Sequence, residues 1–292
     1  HLEANPEDAT PENLDAWRDL GVEFVSLGVQ AFDDRGLRFL GRRHSATGAE
    51  EAVEALLEAG FHTVSIDLIY GLDGQTAENW RAQLDRAVAL GVQHLSCYQL
   101  TFHDETLFGR RLRRGAIAET PEELQEELFF LTHELLTHSG HPAYEVSNFA
   151  RGRDHRSRHN QKYWDHTPYL GLGPSAHSFD GRTRWWNRRK LRLWQTDVDA
   201  GLKPLEEREQ PSLVQLVLET LMLGFRTTTG VDLEQLSRTS GIDLVRSNSA
   251  LIDRLLDAGL VRTVGRRLEP TVEGFAVADT LARSFEIPAH PE

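Results

Sequence analysis

The sequence has little cysteine and no long apolar run. Cys97 is the only cysteine among 292 residues, so the chain cannot form an internal disulfide or supply a cysteine-rich zinc or iron–sulfur site. Cys97 stands inside an apolar run, which predicts an inert core thiol. No segment reaches the length of a membrane-spanning helix, and no signal peptide opens the chain. These absences predict a cytoplasmic protein without stable membrane insertion.

Positive charge is also scarce, with 32 Lys and Arg against 45 Asp and Glu and a net charge of −13. This balance disfavours a general nucleic-acid-binding surface. Residues 151–192 are the exception, with eleven Lys and Arg against three acids, and four of the six tryptophans lie in or beside them. Basic and aromatic residues together favour a flat anionic ligand or a single nucleic-acid strand. The alternative is that these arginines pair with the acidic remainder of the protein.

The first 150 residues repeat a unit of helix, glycine, short strand and loop. Helical patterns cover Pro11–Leu20, Ala49–Ala59, Thr76–Leu90 and Pro121–Ser139, and β-rich runs cover Phe24–Leu27, Val64–Ile69, His94–Leu100 and Tyr144–Ser147. This alternation predicts a parallel α/β sheet with helices on its outer side, either as a barrel or as an open sheet. Polar residues stand near the strand exits, where such folds place active groups: Gln30, Asp67, Thr101 and Asn148. The alternative is that they satisfy loop backbone.

The last 80 residues have the pattern of a separate small domain. Helical patterns at Leu213–Leu223, Asp232–Ser240 and Leu244–Ala258 precede the strand, turn and strand of "GLVRTVGRRLEP". Three helices followed by a hairpin predict a winged-helix-like domain. From Pro211 onward there are eight Arg against eleven acids, so a structural or lid role is favoured over DNA binding.

Six segments stand in a specific order along the chain: "LEANP", "LGVQAF", "LGRRHS", "IDLIYGLDGQT", "YEVSNFA" and "HNQKYWDHTPYLGLGPSAHSF". Together they resemble the radical S-adenosylmethionine (SAM) family around oxygen-independent coproporphyrinogen III oxidase, and within it the HemW branch of heme chaperones. The resemblance covers nearly the whole chain. It implies a partial parallel (β/α) barrel of the TIM-like type over residues 1–205. It also implies a heme-associated segment over residues 141–192. A winged-helix-like α+β domain is expected over residues 206–292.

One part of the family pattern has no counterpart here. The CxxxCxxC loop that holds a [4Fe–4S] cluster in such proteins is absent, as is the glycine-rich segment after it, and the chain begins with His1 instead of Met. We therefore expect a fragment that starts near the third barrel strand. Such a chain does not hold the cluster or cleave SAM by itself, and the cluster is expected only in a full-length parent.

The resemblance assigns half of a SAM site. It implies Glu3 for the ammonium group, Arg42 for the carboxylate and Asp67 for the ribose hydroxyls, which are chemically apt pairings. Gln30 is a further polar contact, and Ile69 and Thr101 line the adenine. The alternative for Arg42 and Asp67 is a structural ion pair.

The resemblance also assigns heme contacts to the HNxxYW pattern: His159, Asn160, Tyr163 and Trp164. An imidazole can ligate heme iron, and aromatic rings can pack on a porphyrin. His155, His166 and His177 are alternative iron ligands, and Tyr144 and Glu145 are expected to face the same cavity. The alternative is that His159 and Asn160 only hydrogen-bond a loop.

Two functions follow from the resemblance. The first is a heme chaperone that binds heme and hands it to heme-accepting proteins. The second is an oxygen-independent coproporphyrinogen III oxidase, in which a SAM-derived radical initiates the decarboxylation of propionates to vinyls. The HNxxYW pattern favours the first, and whether the chain is an enzyme stays open. A related radical SAM methyltransferase, a heme-degrading enzyme and a protein without any cofactor are weaker alternatives.

Overall fold

A five-stranded sheet organises the first half of the chain in the computed structural model, which describes residues 1–288. Its strands lie in sequence order, and β1 to β4 run parallel while β5 runs antiparallel to β4. Their bounds are β1 Leu2–Ala4, β2 Phe24–Gln30, β3 Thr63–Tyr70, β4 His94–Gln99 and β5 Asn148–Ala150. Within the described residues the sheet stays open, and the expected partial barrel of parallel strands is confirmed.

Six helices connect these strands. Their bounds are α1 Pro11–Asp19, α2 Asp34–Phe39, α3 Ala46–Glu58, α4 Ala77–Ala89, α5 Leu107–Arg113 and α6 Glu122–His138. The four predicted helices are confirmed as α1, α3, α4 and α6, whereas α2 and α5 were not expected. Local chemistry explains their ends: Thr76 caps α4 by accepting the Asn79 N–H, and Gly91 follows the helix with a φ of +78°.

The outer face of the sheet is apolar. Leu27, Ile66 and Leu95 are fully buried there, and Cys97, two residues beyond Leu95 on the same strand, is 2% exposed. Burial raises the pKa of the Cys97 thiol, which confirms an inert core position. Two of the covering helices are joined by a buried hydrogen bond from Trp80 Nε1 on α4 to Thr132 Oγ1 on α6, at 2.8 Å.

The burial pattern predicts a large difference between two leucines. Leu84 on α4 is 0% exposed and Leu20 is 80% exposed. We expect Leu84→Ala to lower the free energy of unfolding by about 2–5 kcal/mol, because the cavity left behind cannot fully collapse. The matched Leu20→Ala variant should change it by less than about 0.5 kcal/mol. Urea unfolding measures both, and similar losses in the two variants would contradict this packing.

The fourth predicted strand is wrong in place and direction. The sequence predicts a strand over Tyr144–Ser147, but the strand is Asn148–Ala150 and it is antiparallel to β4. The reason is a chain reversal, in which the Tyr144 N–H donates to the Asn148 carbonyl at 3.1 Å and Ala143 bridges Phe149. Asn148 therefore begins a strand and does not follow one.

Contacts divide the chain between Ser157 and Arg158 into two compact units. The second unit begins with the helix α7 Arg158–Trp164, and a three-stranded antiparallel sheet follows, in which β7 is central. The bounds are β6 His177–Phe179, β7 Arg184–Asn187, α8 Leu191–Asp199 and β8 Leu205–Glu209. The boundary predicted at 205/206 differs from this division and stays a prediction.

The remaining described residues form the winged-helix-like arrangement of helices and a hairpin. Its elements are α9 Leu213–Gly224, α10 Leu233–Ser240, α11 Leu244–Ser247, α12 Ser249–Asp257, β9 Val261–Val264, β10 Arg267–Pro270, α13 Val272–Ala276 and α14 Ala278–Ser284. The predicted helix over Leu244–Ala258 is wrong as a single element, since it breaks at Asn248. The buried Asn248 side chain donates to the carbonyls of Leu244 and Glu286 and accepts the Glu286 N–H.

Across residues 1–288, the helices are all too short or too polar to span a bilayer.

Candidate functional site

The inner face of the five-stranded sheet is polar. Register places Glu3 beside Ser26, Ser26 beside Ser65, and Asp67 beside Ser96. Asn148 on β5 also pairs with Ser96. Sheets in α/β proteins are normally apolar on both faces because helices cover both. The row of hydroxyls, carboxylates and an amide therefore makes this face a candidate binding surface.

The three serines on this face were not among the predicted site residues, although the sequence carries a signal for them. Each stands five residues after the glycine that follows a helix: Ser26, Ser65 and Ser96. A constant spacing from helix end to strand residue gives each serine the same orientation in its strand, because side chains alternate between faces.

Asp67 is held in the middle of this face. Ser26 Oγ donates to Asp67 Oδ1 at 3.0 Å. Burial raises the pKa of the Asp67 carboxyl to about 6, against the lowering effect of hydrogen bonds from Ser96 and Ser26. The charges of Glu3 and Arg42 also act on this pKa, Glu3 raising it and Arg42 lowering it. Three of the residues assigned to SAM are therefore electrostatically coupled.

Arg42 does not form the structural ion pair considered as an alternative. Among the ion pairs of residues 1–288, none joins Arg42 to Asp67 within 4.0 Å. Arg42 Nη1 instead donates to Asn5 Oδ1 at 3.2 Å. Asn5 belongs to the "LEANP" segment but was not among the predicted site residues.

Gln30 occupies a strained position at the end of β2. It is 7% exposed, its φ is +70°, and the pairing of β2 with β3 shifts between Leu27 and Gln30. A Cβ on Gly28 would lie 2.6 Å from Gln30 Nε2 and 3.6 Å from Asn5 Oδ1. Glycine at position 28 thus lets the Gln30 amide fold against the end of β1. Strain of this kind, about 1–3 kcal/mol per residue, clusters at functional sites.

The three remaining residues assigned to SAM are more exposed to solvent. The Glu3 side chain is 74% exposed and has His1 Nε2 at 3.9 Å. Ile69 is half-buried on the same face as Asp67, and the exposed Thr101 hydroxyl donates to the Gln99 carbonyl at 3.4 Å.

Tyr144 and Glu145 of "YEVSNFA" are buried beside β4 and β5. The Tyr144 hydroxyl lies 2.8 Å from His94 Nε2 and accepts the Ser157 N–H at 3.1 Å. Glu145 is 1% exposed and accepts the Ser147 N–H at 3.0 Å. Burial raises the pKa of Glu145 to about 7, while hydrogen bonds from Asn148 and Ser147 lower it. The expectation that both residues face a heme cavity stays a prediction.

This raised pKa of Glu145 predicts a pH-dependent stability. The folded chain holds the Glu145 proton more tightly than the unfolded chain, so the stabilisation is complete at low pH and is lost as pH rises from 4.5 towards 7. Relative to wild type, Glu145→Gln should therefore gain up to about 3 kcal/mol of unfolding free energy between pH 4.5 and 7.5. Urea unfolding at several pH values measures this. The control is Glu126→Gln at an exposed position, whose unfolding free energy should follow that of wild type. A plot of unfolding free energy against pH for Glu145→Gln that runs parallel to the wild-type plot would contradict the prediction.

In the second unit, α7 carries the HNxxYW residues on two stripes. His159 and Tyr163 are one turn apart and their rings meet edge to face at 5.2 Å, and Tyr163 meets Tyr169 at 4.8 Å. Lys162 Nζ lies 5.0 Å from the centre of the Tyr163 ring. His159 is half-buried, so an imidazole with an aromatic and cationic surround is accessible to a ligand.

The second stripe, Asn160 and Trp164, is displaced around the helix. Trp164 lines a cavity of about 410 Å³, together with His166, Thr220 and Asp232. The structure therefore brings His159 and Tyr163 together and places Trp164 elsewhere.

The alternative iron ligands are engaged in other contacts. His155 Nδ1 lies 2.9 Å from Thr63 Oγ1. His166 stacks on Phe179 at 4.8 Å, and its Nε2 lies 3.2 Å from Glu219 Oε2. His177 is exposed and stacks on Trp186.

Part of the basic segment is structural. Arg184 pairs with Glu209 and Glu219, at 3.1 and 2.8 Å. Arg188 pairs with Asp197 at 3.1 Å and Glu206 at 3.7 Å. For these two arginines, the alternative of pairing with the acidic remainder of the protein holds.

Comparison with known proteins decides the family. A family model for the radical SAM superfamily matches residues 1–87, and one for the HemN C-terminal domain matches residues 212–277. "Heme chaperone HemW" of Mycobacterium tuberculosis is 34% identical over 283 residues, covering 97% of this chain and 70% of that protein. The chain belongs to the HemW family.

Other HemW-family relatives differ in the share that the chain covers. "Heme chaperone HemW" of Synechocystis is 38% identical over 242 residues, covering 80% of this chain and 57% of that protein. The chain thus spans little more than half of the Synechocystis relative. The solved structure of coproporphyrinogen III oxidase (HemN) from Escherichia coli, a radical SAM enzyme, matches 96% of this chain and 68% of that one. Its TM-score is 0.77 at 22% identity, which shows a shared fold.

The radical SAM superfamily implies SAM and a [4Fe–4S] cluster, and this chain fits the two differently. The coupled carboxylate, guanidinium and buried acid at Glu3, Arg42 and Asp67 suit the ammonium, carboxylate and hydroxyls of SAM. The chain's residues do not fit the cluster, because its only thiol, Cys97, is buried on the apolar face. Across residues 1–288, no group of three His, Cys, Asp or Glu side chains is placed to hold a metal ion.

Proposed function

We propose that this HemW-family chain binds heme and transfers it to acceptor heme proteins, as a heme chaperone. The observation that carries the proposal is the His159 and Tyr163 stripe of α7, where a half-buried imidazole lies 5.2 Å from a tyrosine ring. The HemW relatives, which are named heme chaperones, support it.

The chemistry of this stripe suits reversible heme binding. A neutral imidazole is the most common protein ligand to heme iron. Tyr163 and Tyr169 offer aromatic surface for a porphyrin ring, and Lys162 beside Tyr163 offers a cation for a propionate. Because His159 is not deeply buried, an incoming protein can reach a ligand held there, as a carrier requires.

We propose a separate role for the polar face of the first unit, namely SAM binding. Glu3 would accept from the ammonium group, Arg42 would pair with the carboxylate and Asp67 would accept from the ribose hydroxyls. Bound to a cluster, SAM supplies a carbon radical in this superfamily; the residues here bind and orient it.

The second candidate function is the oxidase reaction, because the chain shares its fold with the coproporphyrinogen III oxidase HemN of E. coli. A longer form of the protein with the three-cysteine loop decides between the two. We expect it to bind heme and to leave coproporphyrinogen III unchanged when SAM and a reductant are supplied. Conversion to protoporphyrinogen IX by that form, without saturable heme binding, would establish the oxidase instead.

Transfer itself is tested by kinetics. The heme-loaded chain is mixed with increasing concentrations of an apo b-type cytochrome, and the holo-cytochrome spectrum is followed in a stopped-flow instrument. Direct handover makes the rate rise with acceptor concentration. A rate independent of acceptor concentration would show release into solvent and contradict chaperone transfer.

A further inference from the structure

A second aromatic surface of the second unit lies apart from the HNxxYW residues. A cleft of about 620 Å³ opens between the β6–β7–β8 sheet, the helix α8 and the loop that contains Leu170 and Leu172. We call it the tryptophan cleft, because Trp185 of β7 and Trp194 of α8 line it. This volume lies within the range of about 300–1,000 Å³ that is typical of small-molecule sites.

The register of the sheet shows on which face the cleft lies. Trp185 pairs with Ser178 on one side and Arg208 on the other, so all three point to the same face. The opposite face carries Phe179, which is 3% exposed, and Arg184, which is bound to Glu219 of α9. The cleft thus lies on the face of the sheet opposite Phe179 and Arg184.

The apolar residues around the cleft lack the burial of a core. Leu170 is 70% exposed and Leu172 is 84% exposed, and α8 has no buried residue. Trp194 Nε1 is buried without a hydrogen-bond partner among the described residues. A buried indole N–H is normally paired, so an acceptor on a bound ligand would satisfy it.

Two cations of the cleft are uncommitted. Lys203 and Arg208 line it, and neither has a carboxylate oxygen within 4.0 Å anywhere in residues 1–288. The one acid in the lining, Asp180, already accepts the N–H groups of Arg182 and Thr183 in its own turn. The cleft therefore combines two indoles, apolar side chains and two free positive charges.

We propose that the tryptophan cleft binds a porphyrin through its ring and its carboxylates, independently of iron. The chemistry points to a large, flat, apolar dicarboxylate, because indoles pack on planar rings and Lys and Arg bind carboxylates. Iron plays no part, since no His, Cys, Met or Tyr lines the cleft. The inference rests on the proposed heme function and adds a second tetrapyrrole surface to it.

The test uses metal-free protoporphyrin IX, titrated into the full 292-residue chain and followed by absorbance and tryptophan fluorescence. The decisive variant is Lys203→Glu with Arg208→Glu, since both side chains are at the surface and their reversal leaves packing intact. It should weaken protoporphyrin binding at least about tenfold. Trp194→Ala should weaken it similarly, and His159→Ala should leave it within about twofold.

The variant Arg81→Glu with Arg283→Glu controls for the change in net charge, because both positions are exposed and neither lines the cleft. This control should bind protoporphyrin as wild type does. Suppose that the cleft variants bind protoporphyrin with the wild-type affinity and the chain still binds heme through His159. This result would overturn the inference and leave the proposed function intact. Failure of both heme and protoporphyrin to saturate the wild-type chain would overturn both.

Discussion

His159→Ala is expected to weaken formation of the histidine-ligated heme complex at least about tenfold and to abolish its Soret shift. The reason is that the half-buried His159 is the imidazole on the aromatic stripe of α7, where its ring meets the Tyr163 ring at 5.2 Å. Heme titration followed by absorbance measures the effect.

The matched control is His177→Ala. His177 is exposed and stacks on Trp186, so its loss removes an imidazole from the same unit without touching α7. This variant should show the wild-type Soret shift and affinity. A shift that survives His159→Ala and disappears in His177→Ala would move the iron ligand to position 177 and contradict the assignment.

Arg42→Ala is expected to lower the affinity for SAM by about 10- to 100-fold, the equivalent of about 1.5–3 kcal/mol for a charged hydrogen bond. Arg42 is the cation whose charge acts on Asp67, and Asn5 holds its guanidinium in place. Asp67→Asn should give a smaller loss, because the amide keeps the size of the carboxyl but accepts less strongly.

Calorimetric titration with SAM checks both variants, in this chain and in a longer form that carries the three-cysteine loop. The neighbouring Arg43 is exposed and provides the control Arg43→Ala, which should bind SAM as wild type does. Equal losses of SAM affinity in Arg42→Ala and Arg43→Ala would show that SAM binding depends only on general positive charge and would contradict the role of Arg42.

Much of the fold follows from sequence pattern. Helices such as α4 have a capping residue, an apolar stripe and a glycine stop, and each signal is local. The errors arise where tertiary contacts decide. The strand at residues 144–147 fails because the chain reverses there to pair antiparallel with β4, and the helix at 244–258 fails because Asn248 bonds to Glu286, 38 residues away.

The candidate site is predictable in part. Family resemblance implies Glu3, Arg42 and Asp67, and strand register and electrostatic coupling show why they belong together. The support from Asn5 and Gly28 escapes sequence reasoning because it depends on a positive φ at Gln30.

The basic segment shows the same limit. Composition does not distinguish arginines that form ion pairs from cations that have no carboxylate within ion-pair distance. Arg184 and Arg188 are in the first class. Lys203 and Arg208 are in the second, and they lie beyond the segment that composition singled out.

The most direct test of the central claim is a heme titration of the wild-type 292-residue chain without SAM or cluster. The account predicts a saturable Soret shift that corresponds to at least one heme per chain, because the residues on α7 need no thiolate or iron–sulfur cluster to present an imidazole. A titration without saturation, in a chain that unfolds cooperatively in urea, would contradict the heme-chaperone function.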